Sequence, residues 1–270
     1  GRAGPLTSAQ LEAYARDGYV VLPGVLSPEQ VEAMRLDVME AWRRVKGPFD
    51  PEKTWLQNSL LPNIHHHSRL VRDYYFSGRL VDIASQLIGP NVKGATSQLT
   101  FKLHGNTMPF GWHQDNGYGE LSPYNSVSFL TALDNADEGN GCLWIEPGSH
   151  QRGQLASLDA EVKGSADPQG GCVLTARISQ AKRAGVELRV EADDERALPI
   201  RMAAGDVLLF HCHTVHKSGG NTSSRDRRIL FLRYADADAV EVFNDNQPRL
   251  GRLVRGVSRF QAVSAFEADL

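Results

Sequence analysis

At 270 residues, with 41% hydrophobic and 23% charged residues, the chain has the make-up of an ordinary globular protein. A formal net charge of -3 gives no general attraction to nucleic acid phosphates or anionic membranes, so neither is expected as a partner. No apolar run approaches the ~20 residues of a membrane span, and Cys142, Cys172 and Cys212 are too scattered for a disulfide framework or a Cys-x-x-Cys zinc site.

Large β folds reach this length as one unit, so a single domain over residues 1–270 is expected. The opening residues Gly1 to Pro5 carry no apolar signal core, and with the unpaired cysteines this predicts a cytoplasmic protein. Residues 7–90 read as mainly helical. Thr7 or Ser8 can cap a short helix ending near Asp17-Gly18, and Tyr19 to Leu22 is a β-like run. Ser27-Pro28-Glu29-Gln30 combines a capping Ser, a Pro at the first helical position and an acidic first turn. A further helix is predicted from about Leu70 to Ile88, stopped by Gly89-Pro90.

From residue 91 to about 240 the texture is β. Thr96–Leu103, Ser126–Leu133, Cys142–Ile145, Val207–His211 and Arg228–Tyr234 are short apolar or β-branched runs separated by turn residues. Strands without intervening helices predict an antiparallel sandwich or jelly roll, with the N-terminal helices packed outside. Residues 50–68, which contain His65-His66-His67, and residues 151–195 fit neither pattern and read as lid-like insertions.

His113-Gln114-Asp115 places an imidazole and a carboxylate two residues apart, on one face if the segment is extended. With 9 His and 18 Asp in 270 residues, chance alone supplies about 0.6 such pairs, so the pair by itself decides little. Downstream, the run Gly205 to Phe210 delivers His211, His213 and His216 within six residues. Two His and one carboxylate on one face of a metal is the ligand set of non-haem Fe(II) oxygenases; zinc accepts the same ligands. Arg227 follows 11 residues after His216. A planar guanidinium there suits the far carboxylate of a dicarboxylate that chelates the metal.

Trp112-His113-Gln114-Asp115, Gly141 to His150, and Gly205-Asp206 through His216 to Asn221 and Arg227 together resemble the phytanoyl-CoA dioxygenase family of Fe(II)/2-oxoglutarate oxygenases, which includes ectoine hydroxylase. The resemblance implies a double-stranded β-helix (jelly-roll, cupin-like) core. It implies His113, Asp115 and His216 as ligands of Fe(II), and Arg227, Ser218 and Gln98 as contacts of 2-oxoglutarate. O2 would be the second co-substrate and ascorbate the reductant in vitro. Thr100 and Lys102 share the strand face of Gln98 and, with Asn116, His65 and His67, are the expected substrate contacts. His211 and His213 are expected to be core or ligand-orienting residues. Family halogenases put a small residue in place of the carboxylate ligand, so Asp115 favours hydroxylation of a small molecule; a monomer or homodimer is expected. Desaturation or cyclisation by the same chemistry, or a metal-binding jelly roll without oxygenase activity (a zinc enzyme or a sensor), are the alternatives.

Overall fold

The structure, a computed structural model, describes residues 5–48, 50, 52, 58–107, 109–156 and 189–270. Most of the expected 151–195 insertion, with Cys172, and part of the 50–68 insertion lie outside the described residues.

The predicted helix starts are built by side chains. Thr7 caps α1 (Ser8–Asp17): its hydroxyl accepts the Gln10 N–H at 3.3 Å, while Gln10 Oε1 accepts the Thr7 N–H at 2.9 Å. Gly18 closes the helix in the left-handed region, φ 82°. After β1 (Tyr19–Leu22), Ser27 and Gln30 repeat the capping box on α2 (Pro28–Lys46), with Pro28 in the first turn. β2 (Leu60–Pro62) comes next. The single helix expected from Leu70 to Ile88 is two, α3 (Arg69–Phe76) and α4 (Arg79–Ile88). Ser77 is extended and Gly78 takes φ 81°, which no helix can carry.

The β region runs β3 (Val92–Lys102), β4 (Phe110–His113), β5 (Leu121–Ser122), β6 (Val127–Ala132), β7 (Leu143–Ile145), β8 (Leu198–Ile200) and β9 (Val207–His211). It continues through β10 (His216–Ser218), β11 (Arg227–Asp236), β12 (Val240–Glu241), β13 (Gln247–Pro248) and β14 (Leu253–Arg255), and α5 (Gln261–Ala265) closes the described chain. The larger sheet has the order β1-β9-β6-β11-β3-β14, with β2 also on β3; the smaller has β4-β10-β7-β8; β13-β12-β5 form a third. Their pairings are antiparallel, the architecture of a double-stranded β-helix. The segment after residue 240, which was not expected to join the core, supplies β14 to the edge of the larger sheet.

Period-2 alternation gives the larger sheet two buried faces. Leu99, Phe101, Phe129, Leu209, Leu230 and Leu232 pack outward on the helices, against Met34, Val38, Trp42 and Ile83. Their alternates Leu130, Ala132, Leu208, Phe210 and Ile229 point inward and meet Cys142, Leu143 and Ile145 of the smaller sheet. Each fully buried Leu or Phe is worth about 1.5–3 kcal/mol, so both layers hold the inner face rigid. The functional residues stand on that face.

An irregularity interrupts the pairing of β3 with β11. Arg233 pairs with Thr96, but Tyr234 pairs with Gly94, so Ala95 is an extra residue in β3. The Tyr75 hydroxyl from α3 fills the gap, 3.1 Å from the Thr96 N–H and 3.0 Å from both the Thr96 and Arg233 carbonyls. A Cβ on Gly94 would lie 2.5 Å from the Tyr75 hydroxyl, so the close approach requires glycine.

Candidate functional site

Backbone pairing brings the three predicted ligands together. His216 opens β10 directly opposite His113, the last residue of β4, with ring centroids 4.1 Å apart. Asp115 begins the short 3-10 turn Asp115–Tyr118, one extended residue beyond β4. Its Oδ1 lies 3.3 Å from His216 Nε2 and 3.8 Å from His113 Nε2. His113 Nδ1 is 2.8 Å from the Gly111 carbonyl and His216 Nδ1 2.9 Å from the Thr214 carbonyl. A carbonyl can only accept, so both Nδ1 atoms carry the proton and both Nε2 lone pairs face the carboxylate. Three donor atoms converging with no proton among them suit a cation.

Asp115 is kept ionised for that role. Burial would raise its pKa, but in the metal-free chain positive charge on His216 and His113, with a hydrogen bond from Ser128, outweighs burial and holds it well below the usual carboxylate range; a bound cation supplies that charge when the imidazoles are neutral. The Ser128 hydroxyl donates to Asp115 Oδ2, leaving Oδ1 toward the histidines. Gln114, fully buried between the two ligands, faces the other way. Its amide donates to the His213 and Gly153 carbonyls at 2.7 and 2.8 Å and its carbonyl accepts the Leu155 N–H at 2.8 Å. It thereby ties the first ligand pair to the segment that carries His216. The Pro147–His150 turn supports the same segment: Gly148 has φ 77°, as a type II turn requires, and Ser149 Oγ accepts the Val215 N–H at 2.8 Å.

The triad opens on a cavity of about 560 Å³ whose described lining includes Gln98, Thr100, Ser218, Arg227, Ile229, Phe231 and Arg233. Arg227 is 3% exposed. One guanidinium nitrogen donates to the Gly141 carbonyl at 2.6 Å, whereas Nε is buried without a partner. Burial pulls its pKa down to about 10, so it stays charged at neutral pH. Lys102 is its register partner on β3. The Lys102 ammonium donates to Ser218 Oγ at 2.9 Å and to the Gly219 carbonyl.

The structure therefore gathers His113, Asp115, His216, Arg227, Ser218, Gln98 and Thr100 around one space. It does not bring the other expected contacts there. Lys102 is fully buried beneath Ser218 rather than in the described cavity lining. Asn116 is turned inward, its amide on Gln154 Oε1 at 3.1 Å and its carbonyl on Arg233. His65 lies on the outer side, against Ser97 and Glu267 near the C-terminus; His66 also reaches Glu267, and half-buried His67 follows it. His211 and His213 stay out of the cavity, stacked on each other at 5.3 Å and on His150 and Tyr124, as core residues.

Three residues were missed: Ser128, Gln114 and Arg233. Arg233 is 6% exposed on the same strand face as Arg227. Its hydrogen bonds go to Ser126, Asn116 and the Gly119 carbonyl, all neutral acceptors.

The donor set fits Fe(II), with two imidazoles and one carboxylate leaving open positions. The orphaned Nε of a buried arginine in the same cavity fits the far carboxylate of 2-oxoglutarate. A plain zinc site has no use for that arginine.

Comparison with known proteins agrees. The chain is 28% identical over 258 residues to a protein of Gimesia maris called methylphosphonate hydroxylase, covering 90% of this chain and 87% of that one. Its fold superposes on EctD from S. alaskensis, solved with 2-oxoglutarate and 5-hydroxyectoine, with TM-score 0.67, 22% identity and coverage of 97% and 88% of the two chains. It also superposes on SnoK, a non-heme alpha-ketoglutarate-dependent carbocyclase from nogalamycin biosynthesis, with TM-score 0.66, 23% identity and coverage of 88% and 90%. Among the described residues no helix is long and apolar enough to cross a membrane. Residues 14–229 match the family described as phytanoyl-CoA dioxygenase (PhyH), and with the triad and the buried arginine in place the chain belongs to this family of Fe(II)/2-oxoglutarate-dependent dioxygenases.

Proposed function

We propose that the protein hydroxylates an aliphatic C–H bond of a small molecule, with release of succinate and CO2. The observation that carries this is Asp115 between the two histidines, in one cavity with Arg227, whose buried Nε has no hydrogen-bond partner among the described residues. The name of the Gimesia maris relative supports hydroxylation.

When bound, Fe(II) and 2-oxoglutarate supply the oxidising power that breaks the C–H bond. The chain's part is positioning. His113, Asp115 and His216 would hold the metal and leave open positions on it. Arg227 would grip the far carboxylate of 2-oxoglutarate, assisted by the hydroxyl of Ser218, to which the Lys102 ammonium donates. Gln98, which lines the same cavity from β3, would contact the co-substrate. Phe110, Leu130, Leu143, Phe210 and Ile229 wall the cavity with apolar surface, which limits water at the reacting centre.

Carbocyclisation is the second reading, favoured by the fold shared with SnoK. Incubation with Fe(II), 2-oxoglutarate, ascorbate and a substrate panel, read by succinate release and product mass, separates the two. A product with one added oxygen atom supports hydroxylation; loss of two hydrogens supports ring closure or desaturation. Asp115→Ala removes metal binding and turnover together. Full succinate release by that variant would refute the ligand assignment.

A further inference from the structure

We propose that Arg233, with Arg249 beside the same cavity, receives an anionic group of the substrate, a carboxylate or a phosphonate, at the end opposite Arg227. This deepens the oxygenase function proposed above and rests on it.

Placement comes first. Arg227, Ile229, Phe231 and Arg233 alternate along β11 and all line the cavity. Six residues of strand separate the two arginines by roughly 20 Å at the backbone. Arg227 faces Lys102, which holds Ser218; Arg233 faces Ser128, which holds Asp115. His216 precedes Ser218 by two residues on β10, so the metal triad lies between the two guanidinium groups. A co-substrate spanning from the metal to Arg227 leaves the Arg233 end free.

Charge comes second. Among the described cavity-lining residues Asp115 is the one carboxylate. Of the other lining cations, Lys217 is paired with Asp194, Arg249 with Glu241 at 2.8 Å, and Lys46 is engaged as well. With metal and co-substrate bound, the double positive charge of Fe(II) and the charge of Arg227 are matched by Asp115 and the two carboxylates of 2-oxoglutarate. Arg233 remains. Its contacts are all neutral, and a cation out of water without a counter-charge is costly. A single anionic group on the substrate restores the balance.

Donor geometry comes third. Nε and one terminal nitrogen of Arg233 are used by Ser126 and Asn116, while the other has only a 3.4 Å contact to the Gly119 carbonyl. Gly119 itself lines the cavity. The Nε of Arg249 is buried without a partner. A guanidinium needed only to brace the 116–126 loop has no reason to hold donors in reserve beside a cavity. A carboxylate or phosphonate accepts several charge-assisted hydrogen bonds at once, which suits two arginines with spare N–H groups.

The test uses the full chain loaded with Co(II) and 2-oxoglutarate, titrated with acetate, methylphosphonate and the neutral acetamide, and followed by calorimetry and the Co(II) visible spectrum. At least one of the two anions is expected to bind and perturb the spectrum, with acetamide at least tenfold weaker; which anion binds more tightly tells carboxylate from phosphonate. Arg233→Gln is expected to weaken the anion at least tenfold without weakening Co(II) or 2-oxoglutarate, and Arg233→Lys to recover part of the loss. Arg249→Gln, a change at a less central position, gives a smaller loss and serves if Arg233→Gln does not fold. Equal binding of acetamide and the anions, or unaltered anion binding in the variants, overturns the proposal. Failure of Co(II) or 2-oxoglutarate to bind the unaltered chain would instead refute the oxygenase reading beneath it.

Discussion

The hydroxyl of Ser128 on β6 donates to Oδ2 of Asp115, so the carboxylate presents Oδ1 to His216 and His113. The contact ties the carboxylate to the larger sheet, whereas both histidines belong to the smaller one. Partners that orient a metal ligand typically matter by 10–100-fold in metal affinity. Ser128→Ala is therefore expected to weaken Fe(II) or Co(II) binding by roughly that factor, measured by metal titration of the apo-protein. Wild-type affinity in this variant would mean that the histidines alone aim the carboxylate.

Arg227 is the proposed anchor for 2-oxoglutarate, and its Nε is buried without a hydrogen-bond partner among the described residues. Removing one partner of a buried charge pair costs about 2–5 kcal/mol. Arg227→Ala should raise the 2-oxoglutarate dissociation constant by between about thirtyfold and a few thousandfold. Arg227→Lys should fall in between, because an ammonium keeps the charge but lacks the planar fork. Metal affinity should not move in either variant. Anaerobic titration of the Fe(II) or Co(II) protein checks both, and unchanged 2-oxoglutarate binding would identify the wrong arginine.

Much of this site was legible in the sequence, for local reasons. The spacing of His113 and Asp115, and the distance from His216 to Arg227, are properties of short segments, and an extended backbone does the rest. Ser128 was not legible, because a serine inside Val127–Ala132 looks like any strand residue until its neighbour across the cavity is known. Arg233 was hidden in the same way, although its even spacing from Arg227 along one strand was a usable signal. Lys102 was placed on the right strand face, yet its ammonium stops at Ser218, a contact 116 residues away in sequence. The histidine triplet misled because its partner, Glu267, lies 202 residues from His65 and no local pattern announces it. The helix break at Ser77-Gly78 was readable from Gly78 and was overridden by the apolar periodicity on either side.

Buried histidines should make the fold lose stability as pH falls below about 6.5. Burial, reinforced by neighbouring His213 and His150, pushes His211 down to about 4; burial, with Arg233 and His150, pushes His213 to about 4 as well. His65 is shifted in the same direction by burial. The unfolded chain takes up these protons near 6.5 and the native chain does not, so the stabilisation is complete above that pH and is lost as pH falls toward 4. The melting temperature should decline steadily over that window. His211→Gln combined with His213→Asn should flatten the decline even if it lowers stability overall. An equal slope in the double variant would show that other groups control the acid limb.

Tyr75 joins the outer helices to the geometry of the site. Its hydroxyl lies 3.1 Å from the Thr96 N–H and 3.0 Å from the Arg233 carbonyl, in the bulge where β3 carries its extra residue. Tyr75→Phe keeps the ring packing on Tyr234 and Phe76 but strands the Thr96 N–H in a dry interior. A buried donor left unsatisfied costs about 1–3 kcal/mol. Denaturant unfolding should show a loss of that size with an unchanged dependence on denaturant, since little surface is altered. The bulge also sets the direction in which Arg233 leaves the strand, so the same variant should weaken anion binding in the Co(II) protein while leaving 2-oxoglutarate, whose proposed anchor Arg227 is six residues away, at its original affinity. Lost stability with intact anion binding would limit Tyr75 to a packing role; loss of both confirms that the bulge positions the arginine.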